Sequence, residues 1–104
     1  MSDGFDIDRL DEVIHGRLRL GIMAFLAGAG AADFNTLKTR LQATDGNLSA
    51  HLRKLEDAGY VAAEKAFVNR KPLTTLSITP AGRRAFAAYL EAIGRLVEEG
   101  RGEA

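Results

Sequence analysis

Apolar positions recur along this chain with a helical period, switch once to strand alternation, and then return to the helical period. Ile7, Leu10, Val13 and Ile14 sit at helical spacing with Asp6 or Asp8 placed to cap, which predicts a first helix over residues 7–14. His15-Gly16 breaks it. Leu18, Ile22, Phe25 and Leu26 share one side of a second helix over 17–27, and Gly28-Ala29-Gly30 closes it, because glycine reaches the left-handed conformation without strain. Asp33 caps a third, short helix striped by Phe34, Leu37 and Leu41. After a brief turn at Gln42-Ala43, Thr44 or Asp45 caps a fourth helix over 44–58, with Leu48, Leu52 and Leu55 on one face and Ala58-Gly59 at its end.

From Tyr60 to Val68 the chain is small, aromatic and β-branched, and Leu76 and Ile78 alternate with Thr75 and Ser77. The polar stretch Val68-Asn69-Arg70-Lys71-Pro72 between them predicts the tip of an antiparallel hairpin. Thr79-Pro80 opens a last helix, since threonine caps and proline suits the first helical position. Phe86, Tyr89, Leu90, Ile93, Leu96 and Val97 stripe that helix, and residues 100–104 are expected to fray. The expected fold is a single domain over 1–104, mainly α with a small β-hairpin (α+β), in the order α-α-α-α-β-β-α.

Two short striped helices joined by a tight turn form a helix-turn-helix, whose second helix enters the DNA major groove. With Leu48, Leu52 and Leu55 turned inward, Gly46, Asn47, Ser49, Ala50, Arg53 and Lys54 look outward. Small residues permit close approach to base edges, asparagine can pair with adenine, and arginine can fork onto guanine or phosphate. On a lone helix the same face would read as an ordinary solvated surface; the hairpin with a cationic tip that follows directly shifts the reading toward DNA. His51 flanks the buried face and could reach a phosphate or pack against the hairpin. Asp45 would repel phosphate and suits the positive end of its helix.

Asn69, Arg70 and Lys71 at the hairpin tip carry no balancing acid, which favours phosphate binding over simple edge protection. Lys38 and Arg40 on the third helix could also touch the DNA backbone. Arg83 and Arg84 start a helix, where the dipole disfavours cations, and so hint at an external anion.

Composition limits the chemistry. The chain has 104 residues, 46% hydrophobic and 27% charged, with no cysteine and two histidines. That excludes thiol catalysis, disulfides and cysteine-ligated zinc. Ser49, His51 and Asp57 lie on one helix and diverge too far to act as a catalytic triad. Gly28-Ala29-Gly30 follows a helix, so it is no dinucleotide loop. Asp3, Asp6 and Asp8 lack the rest of a calcium loop and read as caps. A non-enzyme without cofactor or metal is expected. The acidic start shows no signal peptide, no apolar run spans a membrane, and the default location is the cytosol.

Fourteen cations balance fourteen acids. The zero is a cancellation between segments. Up to Leu37 three arginines face six acids, a net of −3; from Lys38 to Arg84 nine cations face four acids, a net of +5; beyond, two arginines face four glutamates, a net of −2. The candidate reading unit is therefore basic between acidic flanks.

The run from Asp45 to Val61, DGNLSAHLRKLEDAGYV, resembles the recognition helix of winged-helix transcriptional regulators of the MarR/ArsR type. Asn69-Arg70-Lys71-Pro72 resembles their wing, Thr75 to Arg83 their exit into the final helix, and His15 with Arg17 to Leu20 their opening helices. The resemblance spans about residues 8–90. It implies a dimer on a roughly palindromic operator of double-stranded DNA, each recognition helix in a major groove and each wing on the adjacent backbone or minor groove. The chain lacks the cysteines of metal-sensing members and the length of larger ligand-sensing ones, and no residue names a small-molecule effector. Ile7, Leu10 and Ile14, with Phe86, Tyr89, Leu90, Ile93, Leu96 and Val97, are the expected dimer surface. The competing reading is a winged helix that serves as a protein-interaction module without DNA.

Overall fold

A computed structural model describes residues 5–103; the expected cap at Asp3 and the terminal Ala104 lie outside them. A single 3-10 turn, Ile7–Arg9, leads into helix α1 (Arg17–Ala29), strand β1 (Ala31–Asp33), helices α2 (Phe34–Leu41) and α3 (Asp45–Asp57), strands β2 (Val61–Val68) and β3 (Lys71–Ile78), and helix α4 (Pro80–Glu103).

The helix expected over 7–14 is therefore only one short turn. Asp6 caps this turn as expected, accepting from the N–H of Asp8 at 2.9 Å, but just beyond it the Asp11 side chain competes for the backbone, accepting from the N–H of Val13 at 2.8 Å. Such local bonds offer the chain an alternative to helical pairing. The strand β1 was not foreseen. It pairs antiparallel with β3 through Ala31–Ser77, Ala32–Leu76 and Asp33–Thr75, giving the sheet order β1-β3-β2. At the other end of the chain α4 runs to Glu103, past the point where fraying was expected, and Phe5 lies beside Gly100.

Glycine closes α3 as the composition suggested. Gly59, at φ 81°, lets Tyr60 N–H reach the Leu55 carbonyl and its own N–H reach that of Glu56, both at 2.9 Å. Directly beside this cap, Thr79 starts α4: its hydroxyl donates to the Gly59 carbonyl at 2.6 Å and accepts from Gly82 N–H at 2.9 Å. A Cβ on Gly82 would land on the Tyr60 carbonyl oxygen. Threonine and glycine thus dock the start of α4 onto the end of α3.

One core unites the elements: Ile22, Met23 and Leu26 of α1, Leu37 of α2, Leu48, Leu52 and Leu55 of α3, Val61, Leu76 and Ile78 of the sheet, with Ile14 and Tyr89. Ile14 is 0% and Tyr89 2% exposed. Both were expected on a dimer surface, and burial within the chain removes them from it; the Tyr89 hydroxyl meets His15 Nδ1 at 2.7 Å. Leu10 and Phe86 also pack partly against the core, and Leu96 is half-buried. The outward stripe of α4 is narrower: Leu90, Ile93 and Val97.

The chain is elongated. Its radius of gyration is 16.0 Å, against about 13 Å for a compact domain of this length. The 24-residue α4, about 36 Å long at 1.5 Å per residue, accounts for the difference.

Candidate nucleic-acid interface

The turn between α2 and α3 is Gln42-Ala43-Thr44, with Gln42 left-handed at φ 53°. Thr44 caps α3, its hydroxyl accepting from Asn47 N–H at 3.1 Å. Asp45 stands in the first turn and pairs with Lys38 Nζ at 2.8 Å, tying the two helices together. Burial of Leu48, Leu52 and Leu55 fixes the rotation of α3. Asn47, Ser49, Ala50, Arg53 and Lys54 are consequently exposed. Among the described residues, the side chains of Asn47, Ser49, Arg53 and Lys54 form no hydrogen bond or ion pair.

His51 does not pack against the hairpin, the second of its two expected places. Its Nδ1 meets Arg19 Nη1 at 2.9 Å, and Arg19 Nε donates to the Val13 carbonyl at 2.6 Å. It therefore packs against α1, not the hairpin. Arginine can only donate, so Nδ1 must accept and the ring is neutral. Burial, then the charges of Arg19 and Lys54, hold its pKa below the ordinary value.

The hairpin joins β2 to β3 through a two-residue turn, Asn69-Arg70, with both residues left-handed at φ 53° and 66°. Lys71 and Pro72, assigned to the tip from sequence, are the first two residues of β3. Lys71 faces Val68 across the closing pair, and Phe67 faces Pro72 in the next pair. In a two-residue hairpin the closing pair exchanges both ladder bonds, so the pair at Pro72 needs no N–H. Asn69, Arg70 and Lys71 are exposed. Glycine is the cheapest occupant of the second turn position. An arginine there accepts backbone strain and places a guanidinium at the apex.

Between α3 and the hairpin lies an open cleft of about 480 Å³, lined by Ser49 and Arg53 on one side and Lys65 and Thr74 on the other, with Glu56 and Asp57 at the C-terminal end of α3. Lys65 was not singled out from sequence. Strand alternation and the Lys65–Thr74 register, two residues out from Ala63–Leu76, put it on the face that looks at α3. Arg17 was also passed over, and it lines a second cleft with Asn47 and His51. The α2 cations are engaged within the chain: Lys38 by Asp45, and Arg40 by the ring of Phe25, 5.5 Å from its Cζ. Arg83 needs no external anion. Its Nη1 donates to the Ala27 carbonyl at 3.3 Å, in the last turn of α1, where a cation is favoured.

A helix-turn-helix followed by a cationic hairpin and backed by a long terminal helix defines a winged helix DNA-binding domain. Residues 18–97 match that family, and the chain belongs to it. An uncharacterized protein of Methanocaldococcus jannaschii is 39% identical over 85 residues, 82% of this chain and 92% of its own. A transcriptional regulator homologue from Pyrococcus horikoshii is similar with a TM-score of 0.80 at 32% identity, over 85% of this chain and 87% of that one. More distant structures share the fold. NadR, in complex with 4-hydroxyphenylacetate, has a TM-score of 0.66 at 24% identity, over 91% of this chain and 64% of its own. A MarR family regulator from Silicibacter pomeroyi has 0.62 at 20%, over 85% and 56%. Among the described residues no helix is long and apolar enough to cross a membrane, and no group of three acidic, histidine or cysteine side chains could hold a metal ion.

Proposed function

We propose that the chain is a sequence-specific transcriptional regulator that binds operator DNA as a homodimer. The observation that carries this reading is the joint presentation of an exposed α3 face, free of internal partners, and a strained arginine at the wing apex. Asn47, Ser49 and Ala50 approach base edges in the major groove, Arg53 reaches guanine or phosphate, and Lys54 neutralises the backbone. Arg70 and Lys71 meet the adjacent backbone or minor groove, with Asn69 beside them. Lys38 and Arg40, held by internal partners, act at most as supporting charges.

The homodimer reading rests on α4. Leu90 is 51% and Val97 58% exposed, with Ile93 between them on one stripe. Ile7, 64% exposed, lies in the turn that docks on the same helix through Arg9 and Glu99 at 3.8 Å. A two-fold pairing of this stripe supplies one recognition helix for each half-site, and such half-sites lie about 34–36 Å apart on one side of the duplex.

Selection of bound fragments from genomic DNA, followed by titration at several salt concentrations, tests the proposal. Specific binding whose logarithm falls with log salt by about 0.9 per phosphate contact is expected. Arg53→Ala should narrow the gap between selected and random duplex, by about 1–3 kcal/mol if it forks onto a base. Equal affinity for all fragments with no salt dependence refutes the DNA reading and leaves a protein-interaction module.

A further inference from the structure

The outer part of the wing carries an apolar feature that phosphate binding does not use. Phe67 is 78% exposed, the most exposed large apolar side chain among the described residues. It sits two residues before the tip turn, opposite Pro72. Cross-strand partners share a face and alternate residues repeat it. Phe67 and Pro72 therefore continue outward the row that begins with Ala63 and Leu76 and passes through Lys65 and Thr74. That row lines the cleft facing Ser49 and Arg53 of the recognition helix; Glu56 and Asp57, at the C-terminal end of α3, line the same cleft, and Phe67 stands outside its lining. Along this face of the hairpin the only charged side chain is Lys65, a cation; Glu64 lies on the opposite face. Arg70 caps the end.

We infer that Phe67, seated on Pro72, is an apolar wedge for the minor groove of DNA, packing on deoxyribose or between base edges while Lys65 and Arg70 hold the flanking phosphates. The inference rests on the DNA-binding reading above. The charge around the ring selects the occupant. A protein partner for an exposed phenylalanine needs only an apolar pocket, whereas a ring set between unpaired cations suits a polyanion with apolar walls inside its groove. Proteins that read the minor groove use apolar side chains in this way and widen or kink the duplex at flexible steps. The wing then adds a preference for deformable sequence, separate from base reading by α3.

The test uses Phe67→Ala, Phe67→Trp and Arg70→Ala in the full chain, on a duplex chosen by genomic selection. Phe67→Ala should keep the wild-type melting temperature, because the side chain is exposed. It should weaken binding about tenfold or more, as loss of a stacked aromatic does, with the salt slope unchanged because no charge is lost. Arg70→Ala should instead make the slope shallower. The chain has no tryptophan, so emission of the Phe67→Trp variant reports this one position and should shift when duplex is added. Unchanged affinity in Phe67→Ala and unchanged emission in Phe67→Trp, with Arg53→Ala and Arg70→Ala still impaired, overturns the wedge and leaves DNA binding standing. A wild-type chain that binds no duplex overturns both. Loss of self-association in Phe67→Ala by sedimentation, at full DNA affinity per chain, overturns the wedge in favour of a contact between protein copies.

Discussion

Replacing Arg70 by glycine separates the conformational cost of the wing tip from its role. The turn holds Arg70 at φ 66° after Asn69 at 53°. An L-residue in the left-handed region costs ~1–2 kcal/mol, and the greater freedom of glycine in the unfolded chain offsets ~0.5–1 kcal/mol of the relief. Arg70→Gly should therefore stabilise the fold by about 0.5–1 kcal/mol. With an unfolding entropy of ~2.1 cal/mol/K per residue over 104 residues, that gain raises Tm by about 2–5 °C. The same change removes the apical cation. The slope of log affinity against log salt should become shallower by about 0.9 for each phosphate Arg70 neutralises. Differential scanning calorimetry reads the first effect, and anisotropy titrations at several salt concentrations read the second. A lowered Tm refutes the strain argument. A raised Tm with an unaltered salt slope takes Arg70 off the phosphate backbone.

The other joints of the molecule give further expectations. Gly82→Ala drives a methyl group into the Tyr60 carbonyl and should cost about 3 kcal/mol by denaturant unfolding, since the atom it overlaps most is backbone and cannot rotate away; a cost under half of that means α4 can slide on α3. His51 is held neutral, so its contribution to stability is complete above its ordinary pKa of 6.5 and is lost as pH falls below that value toward its lowered folded-state pKa. His51→Gln keeps an acceptor for Arg19 and should flatten stability between pH 7 and 5, measured by urea unfolding at each pH. The Tyr60 hydroxyl donates to Asp11 at 2.5 Å, and that bond, with burial and the Asp11 charge, pushes its pKa up to about 12. Tyr60→Phe should cost about 1 kcal/mol at pH 7 and abolish the stability loss expected as pH rises from 10 to 12. Leu90→Glu with Val97→Glu should yield a folded monomer by sedimentation equilibrium and weaken operator binding sharply; an intact dimer would move the interface off this stripe.

Much of the architecture was legible in the order of residues, because it follows from local rules. Leu48, Leu52 and Leu55 at helical spacing, Thr44 before them and Gly59 after, are enough to place α3 and to say which of its side chains turn outward. Asp33 and Thr79 mark the starts of α2 and α4 for the same capping reason. The alternation of Leu76 and Ile78 marks a strand, and the segmental charge separates a basic centre from acidic ends.

Only tertiary structure decided the rest. Ala31, Ala32 and Asp33 have little intrinsic strand preference and form β1 because the edge of β3 offers them backbone partners. Ile14 and Tyr89 share the helical pattern of their exposed neighbours, and no period tells which members of a stripe meet the core and which remain outside. The Arg19–His51 contact spans 32 residues and Arg83–Ala27 spans 56, so neither leaves a local trace. The left-handed Arg70 breaks the usual turn preference, so sequence placed the tip but not its strain. Local periodicity and capping chose the elements and the outward face of the recognition helix. Long-range packing chose which cations stay free for a ligand, because that depends on the partners the fold brings within reach.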